Sequence, residues 1–160
     1  MFKVALIALF FPILVFADTL PGDCYQHEID PHTRRFYQSR IQWEADRVEL
    51  WKSAPPAPSF FRRWQGYKVA MVESPNSRGI GSDKRKHCYV GCRIAAVVGA
   101  DVAEYAAYYK EDKDILDCRS QTHFDLTDIK ATMAGALLAK IPEKSDASFC
   151  RAECLKLIRR

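Results

Sequence analysis

The sequence holds no glycine-rich phosphate loop, no G-x-S-x-G elbow and no long basic tract. These gaps remove the usual signatures of nucleotide hydrolases, α/β-hydrolases and nucleic-acid binders. His27-Glu28 is not followed by the second histidine of an H-E-x-x-H zinc motif. Net charge is only +4 over 160 residues, and the basic residues are scattered apart from Lys84-Arg85-Lys86 and Arg159-Arg160. Charge so small and so dispersed argues against nucleic acid as a partner and leaves room for peripheral contact with an anionic envelope surface. Long hydrophobic runs are missing too. The run from Val4 to Phe16 falls short of the roughly 20 residues that a membrane span needs. Met1-Phe2-Lys3 precedes it and Val15-Phe16-Ala17 follows it, so residues 1–17 read as a cleavable secretory signal. No cysteine stands next to Ala17, which argues against a lipid anchor. The expected location is periplasmic or secreted.

Cysteine is what the chain does have. All six, Cys24, Cys88, Cys92, Cys118, Cys150 and Cys154, follow the signal. An even count in an exported chain predicts three disulfides. Structural zinc sites favour C-x2-C knuckles on turns. Here two C-x3-C pairs fall on helical patterns instead.

The rest of the chain divides into an arm, residues 18–82, and a helical bundle, residues 83–160. In the arm, Thr33 to Lys52 has the apolar spacing of a helix, and Ser53 to Ser59 is a proline-rich linker. Phe60, Phe61, Trp64 and Tyr67 are expected to pack the arm onto the bundle, and Glu73 to Ser82 to form a loop. The bundle reads as four short helices running up, down, up and down. The first spans Asp83 to Val98 and stops at Gly99; Asp101 and Glu104 form a capping box for the second, which reaches about Asp117. Thr127 or Asp128 caps the third, ending before Pro142, and Ser145 or Ser148 caps the last. No β pattern competes, so the predicted class is all-α, a small disulfide-stapled helical bundle. Small residues recur at near-helical spacing, Gly91, Ala95 and Gly99, then Ala131, Gly135 and Ala139, as needed where helix backbones approach closely.

Heights along these helices predict the disulfides. At about 1.5 Å per residue, Cys88 and Cys92 climb the first helix while Cys150 and Cys154 descend the last. Matching heights pair Cys88 with Cys154 and Cys92 with Cys150, and leave Cys24 for Cys118.

The same folding gathers polar residues. The break at Gly99 makes a hairpin of nearly equal arms, which brings His87 beside Glu111, with Asp114 and Asp128 at the same end. One imidazole among carboxylates suits general acid–base work, or a divalent metal ion. No other cofactor is implied. The same residues also fit a structural role: Asp83 and Asp128 as helix caps, Glu111 paired with Lys84 or Lys110, His87 hydrogen-bonded across the hairpin.

Three motifs carry a resemblance: Asp83-Lys84-x-x-His87, Lys110-Glu111-x-x-Asp114 and Asp128-x-x-Ala131-Thr132-x-x-Gly135. In this order they resemble a family of small predicted lipoproteins of the bacterial cell envelope and, more distantly, VanZ-like proteins. The likeness covers residues 83–140. Cys88 stands where that family has an aromatic residue and Thr132 where it has Asn or Asp. The resemblance implies a bacterial envelope or exported helical protein with a polar cluster at one end. Three functions fit: an envelope or secretion accessory binding an envelope component or protein partner, a His/carboxylate hydrolase acting on an envelope lipid or glycan, and a secreted effector or its immunity partner.

Overall fold

The structure, a computed structural model, describes residues 24–30, 32–116, 125–141 and 146–158. The proposed signal, residues 1–17, lies outside the described residues, and so does Cys118 of the expected Cys24–Cys118 pair. A 3-10 turn, Cys24–His27, is followed by six α-helices: α1 (Arg40–Lys52), α2 (Phe60–Asn76), α3 (Asp83–Val97), α4 (Ala100–Leu116), α5 (Leu126–Leu138) and α6 (Ala147–Leu157). The fold is all-α, with one isolated β-bridge, Ile29 to Phe36, and no strand among the described residues. None of the described helices is long and apolar enough to cross a membrane.

Both predicted disulfides of the bundle are present, Cys88–Cys154 and Cys92–Cys150. All four cysteines are fully buried with Tyr89 and Ile80. They hold α3 antiparallel to α6, and Arg85 Nε donates to Ile158 O from the lower end of the same pair. Such disulfides fit an oxidising compartment outside the cytoplasm.

Helix α3 is the central element, and α5 lies parallel to it, because Lys84 reaches Asp128, Gly91 faces Thr132, and Gly135 faces Cys88 and Cys92. The small-residue stripes permit this contact. A methyl group on Gly135 would lie 1.8 Å from Cys88 O, and one on Gly91 2.2 Å from Thr132 O. Backbone cannot rotate away as a side chain can. Gly135→Ala is therefore expected to cost about 3 kcal/mol by forcing α3 and α5 apart; chemical denaturation measures it, and a loss below about 1 kcal/mol would contradict the close approach.

Helix starts differ from the sequence expectation by a few residues. Helix α1 begins at Arg40, capped by Ser39, rather than at Thr33. Asp30 accepts from His32 N, Thr33 N and Thr33 Oγ1, and this local turn outcompetes helix over residues 30–36. Gly99, at φ +131°, turns the chain between α3 and α4. Helix α4 then begins at Ala100, so Asp101 is already inside it and no capping box forms there. Its carboxylate is taken by Arg62, with Nη2 donating to Oδ1 at 2.7 Å. Asp125, not Thr127 or Asp128, caps α5 by accepting from Thr127 N at 2.8 Å. Asp146, not Ser145 or Ser148, caps α6.

The largest correction concerns α2. Residues 60–76 are one helix, so the arm carries a second helix and the expected loop starts only at Ser77. Glu73 is buried: Tyr89 Oη donates to its Oε2 at 2.7 Å and Arg93 Nε to its Oε1 at 2.9 Å. Arg62 and Gly66 seat the other half of α2 on α4 and the α3–α4 turn. Phe60, Phe61, Trp64 and Tyr67 do not pack the arm onto the bundle; all four are exposed.

Candidate functional site

The start of α3 sets out Asp83 and Lys84 on its first turn and His87 one turn on, and α5 brings Asp128 and Thr132 to them. His87 Nε2 lies 3.7 Å from Asp128 Oδ2 and 3.7 Å from Asp83 Oδ2. Its Nδ1 is 3.4 Å from Thr132 Oγ1. The Thr132 hydroxyl spends its proton on Asp128 O at 2.9 Å, so towards His87 it acts as acceptor. With Nδ1 donating to that oxygen, the Nε2 lone pair would face two carboxylates; with the proton on Nε2, the ring would point an N–H at them. A lone pair between two anions calls for a proton or a cation. Asp83, His87 and Asp128 each offer one ligand atom, all within 4.8 Å of one another. One nitrogen and two carboxylate oxygens are a suitable donor set for a divalent cation with open positions.

Burial pushes the His87 imidazole below its usual pKa; Asp128 and Asp83 pull it up, and Lys110 and Lys84 push it further down. The imidazole is thus neutral at neutral pH, as a base or a ligand must be. Burial works against the Lys84 ammonium, but its hydrogen bonds to Asp125 and to Asp128 Oδ1 (2.6 Å) outweigh that and raise its pKa. Lys84 therefore neutralises the far side of Asp128.

Glu111 and Asp114 sit at this end of the bundle, as the hairpin argument expects, but in different roles. Asp114 holds Lys110 across one helical turn. Glu111 is 1% exposed and accepts from Asp125 N at 2.9 Å; among the described residues its Oε1 has no hydrogen-bond partner. Neither Lys84 nor Lys110 pairs with it, because Lys84 goes to Asp125 and Asp128, and Lys110 to Asp114. Among the described residues no hydrogen bond or ion pair joins Glu111 to His87. Burial pushes the Glu111 carboxyl up to about 8, against the pull of the Asp125 N–H and with the repulsion of Asp128 and Asp114. Glu111 is a protonated acid at neutral pH, held behind Asp128.

Beside His87 opens a cleft of about 270 Å³ between α2, α3 and α4. Val90, Ile94, Ala70, Ala106 and Ala107 form its apolar wall, while Asp83, Lys86, His87 and Lys110 form a polar end. The sequence did not single out Lys86 as part of this site, and it marked Lys110 and Thr132 only as motif members, with Lys110 also a possible partner of Glu111. The i, i+4 spacing of Asp83 and His87 was the available signal; nothing in the spacing announced that Thr132 would orient the imidazole.

A second histidine–carboxylate group, Asp30, His32 and Asp46, also lies within 4.8 Å. Asp30 already accepts from His32 N, Thr33 and Gln42 Nε2, and Asp46 from Tyr37 Oη, so these carboxylates hold the turn before α1 together. No family model, curated protein or solved structure matches the chain.

Proposed function

We propose that this chain is an exported accessory protein of the bacterial cell envelope, periplasmic or secreted, that binds an amphipathic envelope molecule in the cleft beside His87. The single observation that carries this reading is the make-up of the cleft, an apolar wall closed at one end by Asp83, Lys86, His87 and Lys110. Such a site accepts an acyl segment along the wall and a polar headgroup at the end. The likeness of residues 83–140 to bacterial envelope lipoproteins supports the location. Titration calorimetry with monomeric dihexanoyl phosphatidylglycerol tests it. Saturable binding is expected, weakened about tenfold or more in Lys110→Glu, which reverses the charge offered to the phosphate. Absence of saturable binding, or equal binding by the variant, would remove the reading.

A second reading, hydrolysis of an envelope lipid or glycan, draws on the neutral imidazole between two carboxylates. His87 would take the proton of an attacking water and Asp128 would steady the imidazolium. Were a divalent cation held by Asp83, His87 and Asp128 instead, His87 would be a ligand and not the base, and the cation would supply Lewis-acid polarisation of an oxygen of the bound molecule. Under this reading His87→Ala stops turnover of the same lipid while its binding persists.

A further inference from the structure

We infer that the outer face of α2 is a docking surface for a bilayer carrying anionic headgroups. The inference does not depend on what the His87 cleft binds.

Six large apolar side chains of α2 are exposed: Phe60 at 76%, Phe61 at 65%, and Trp64, Tyr67, Met71 and Val72 at half or more. Their spacing is helical. Residues 60, 64, 67 and 71 make one stripe, and 61, 68 and 72 run beside it. A monomeric soluble surface rarely gathers so much apolar area in one place. The patch is not a core face left open by a loosely held helix. The inner side of α2 is fully engaged: Arg62 holds Asp101 and Val98 O, Gly66 lies against Val102, and Glu73 is bound by Tyr89 and Arg93. The helix is fixed with its aromatic side outward.

Charge and chemistry select the occupant. Glu73 is the one acidic residue of α2, and it is buried and paired. The outward face carries Lys68, with Arg63 exposed at its edge and its guanidinium 6.0 Å from the Tyr105 ring, and no acid of its own helix. Two such faces from two copies would set like charges together. A bilayer with anionic headgroups meets both parts, since the basic side chains reach headgroups while Phe, Trp and Tyr sit at the water–acyl boundary. Trp64 and Tyr67 are stacked with centroids 5.8 Å apart, giving the patch a broad aromatic plate. With no described helix able to cross a membrane, the contact is peripheral.

The test is co-sedimentation with vesicles. Binding to mixed phosphatidylcholine–phosphatidylglycerol vesicles is expected, about tenfold or more weaker on phosphatidylcholine alone, since two basic groups near an anionic surface each contribute to the affinity. Trp64 emission should shift to the blue and be quenched by brominated acyl chains, with Trp64→Phe removing that signal. Phe61→Ser with Trp64→Ser should abolish vesicle binding while circular dichroism and the urea unfolding midpoint stay as in the parent. Vesicle binding that survives this double change, binding to neither vesicle, or burial of Trp64 in a dimer seen by analytical ultracentrifugation would each overturn the inference.

Discussion

Replacing Cys88, Cys92, Cys150 and Cys154 together by alanine is expected to remove roughly 7 kcal/mol of folding free energy, comparable with the whole stability of an ordinary domain. The two staples are nested. Cys92–Cys150 closes a loop with a sequence separation of 58, worth about 4 kcal/mol in chain entropy. Once it exists, Cys88–Cys154 adds only a small ring of about ten residues, worth about 3 kcal/mol. Either pair removed alone leaves the other to close the long loop, so each single removal costs only about 3 kcal/mol. The sum of the two single losses is therefore smaller than the joint loss. Urea denaturation of the three variants measures this, and strictly additive losses would refute the nested account.

Stability is expected to respond to pH through Glu111. Its carboxyl titrates near 8 in the folded protein, against an ordinary value of 4.5. A folded pKa above the unfolded one means that the folded state holds the proton longer. The stabilisation is complete below about pH 4.5 and disappears as pH rises through about 8. The full swing is about 5 kcal/mol, at about 1.36 kcal/mol per pKa unit. His87, whose folded pKa is lowered from 6.5, acts in the opposite sense: its burial costs stability as pH falls below 6.5. The difference between the parent and Glu111→Gln isolates the Glu111 contribution. Gln keeps an acceptor for Asp125 N and cannot ionise, so the variant should match the parent near pH 5 and exceed it by several kcal/mol at pH 9. Parallel pH profiles for the two proteins would show that Glu111 does not titrate as described.

The bundle was legible because its signals are local and covalent. C-x3-C pairs on antiparallel helices leave one arrangement in which heights agree, and Gly99 marks the turn between α3 and α4. Helix starts were displaced because several good caps stood side by side, and Asp125 and Asp146 took the free N–H groups ahead of the neighbouring Ser and Thr. Helix α2 was missed for a different reason. Its apolar stripe is a regular helical one, but Glu73 to Ser82 reads as loop, and the stripe faces solvent. Of the site, the approach of Asp128 to His87 followed from the hairpin. The separation of Glu111 from His87 did not, since it depends on which backbone N–H the carboxylate meets.

The nested staples also redirect mechanical load. A chain gripped on either side of residues 88–154 transmits tension from α3 to α6 through sulfur, across a Cα–Cα gap of 5.7 Å. The chain between the outer cysteines, a sequence separation of 66, could otherwise pay out roughly 220 Å of contour and stays outside the line of force. While the staples hold, a pull applied just outside residues 88 and 154 can lengthen only the flanks, on which Asp83 and His87 lie, and α4 and α5 carry no tension.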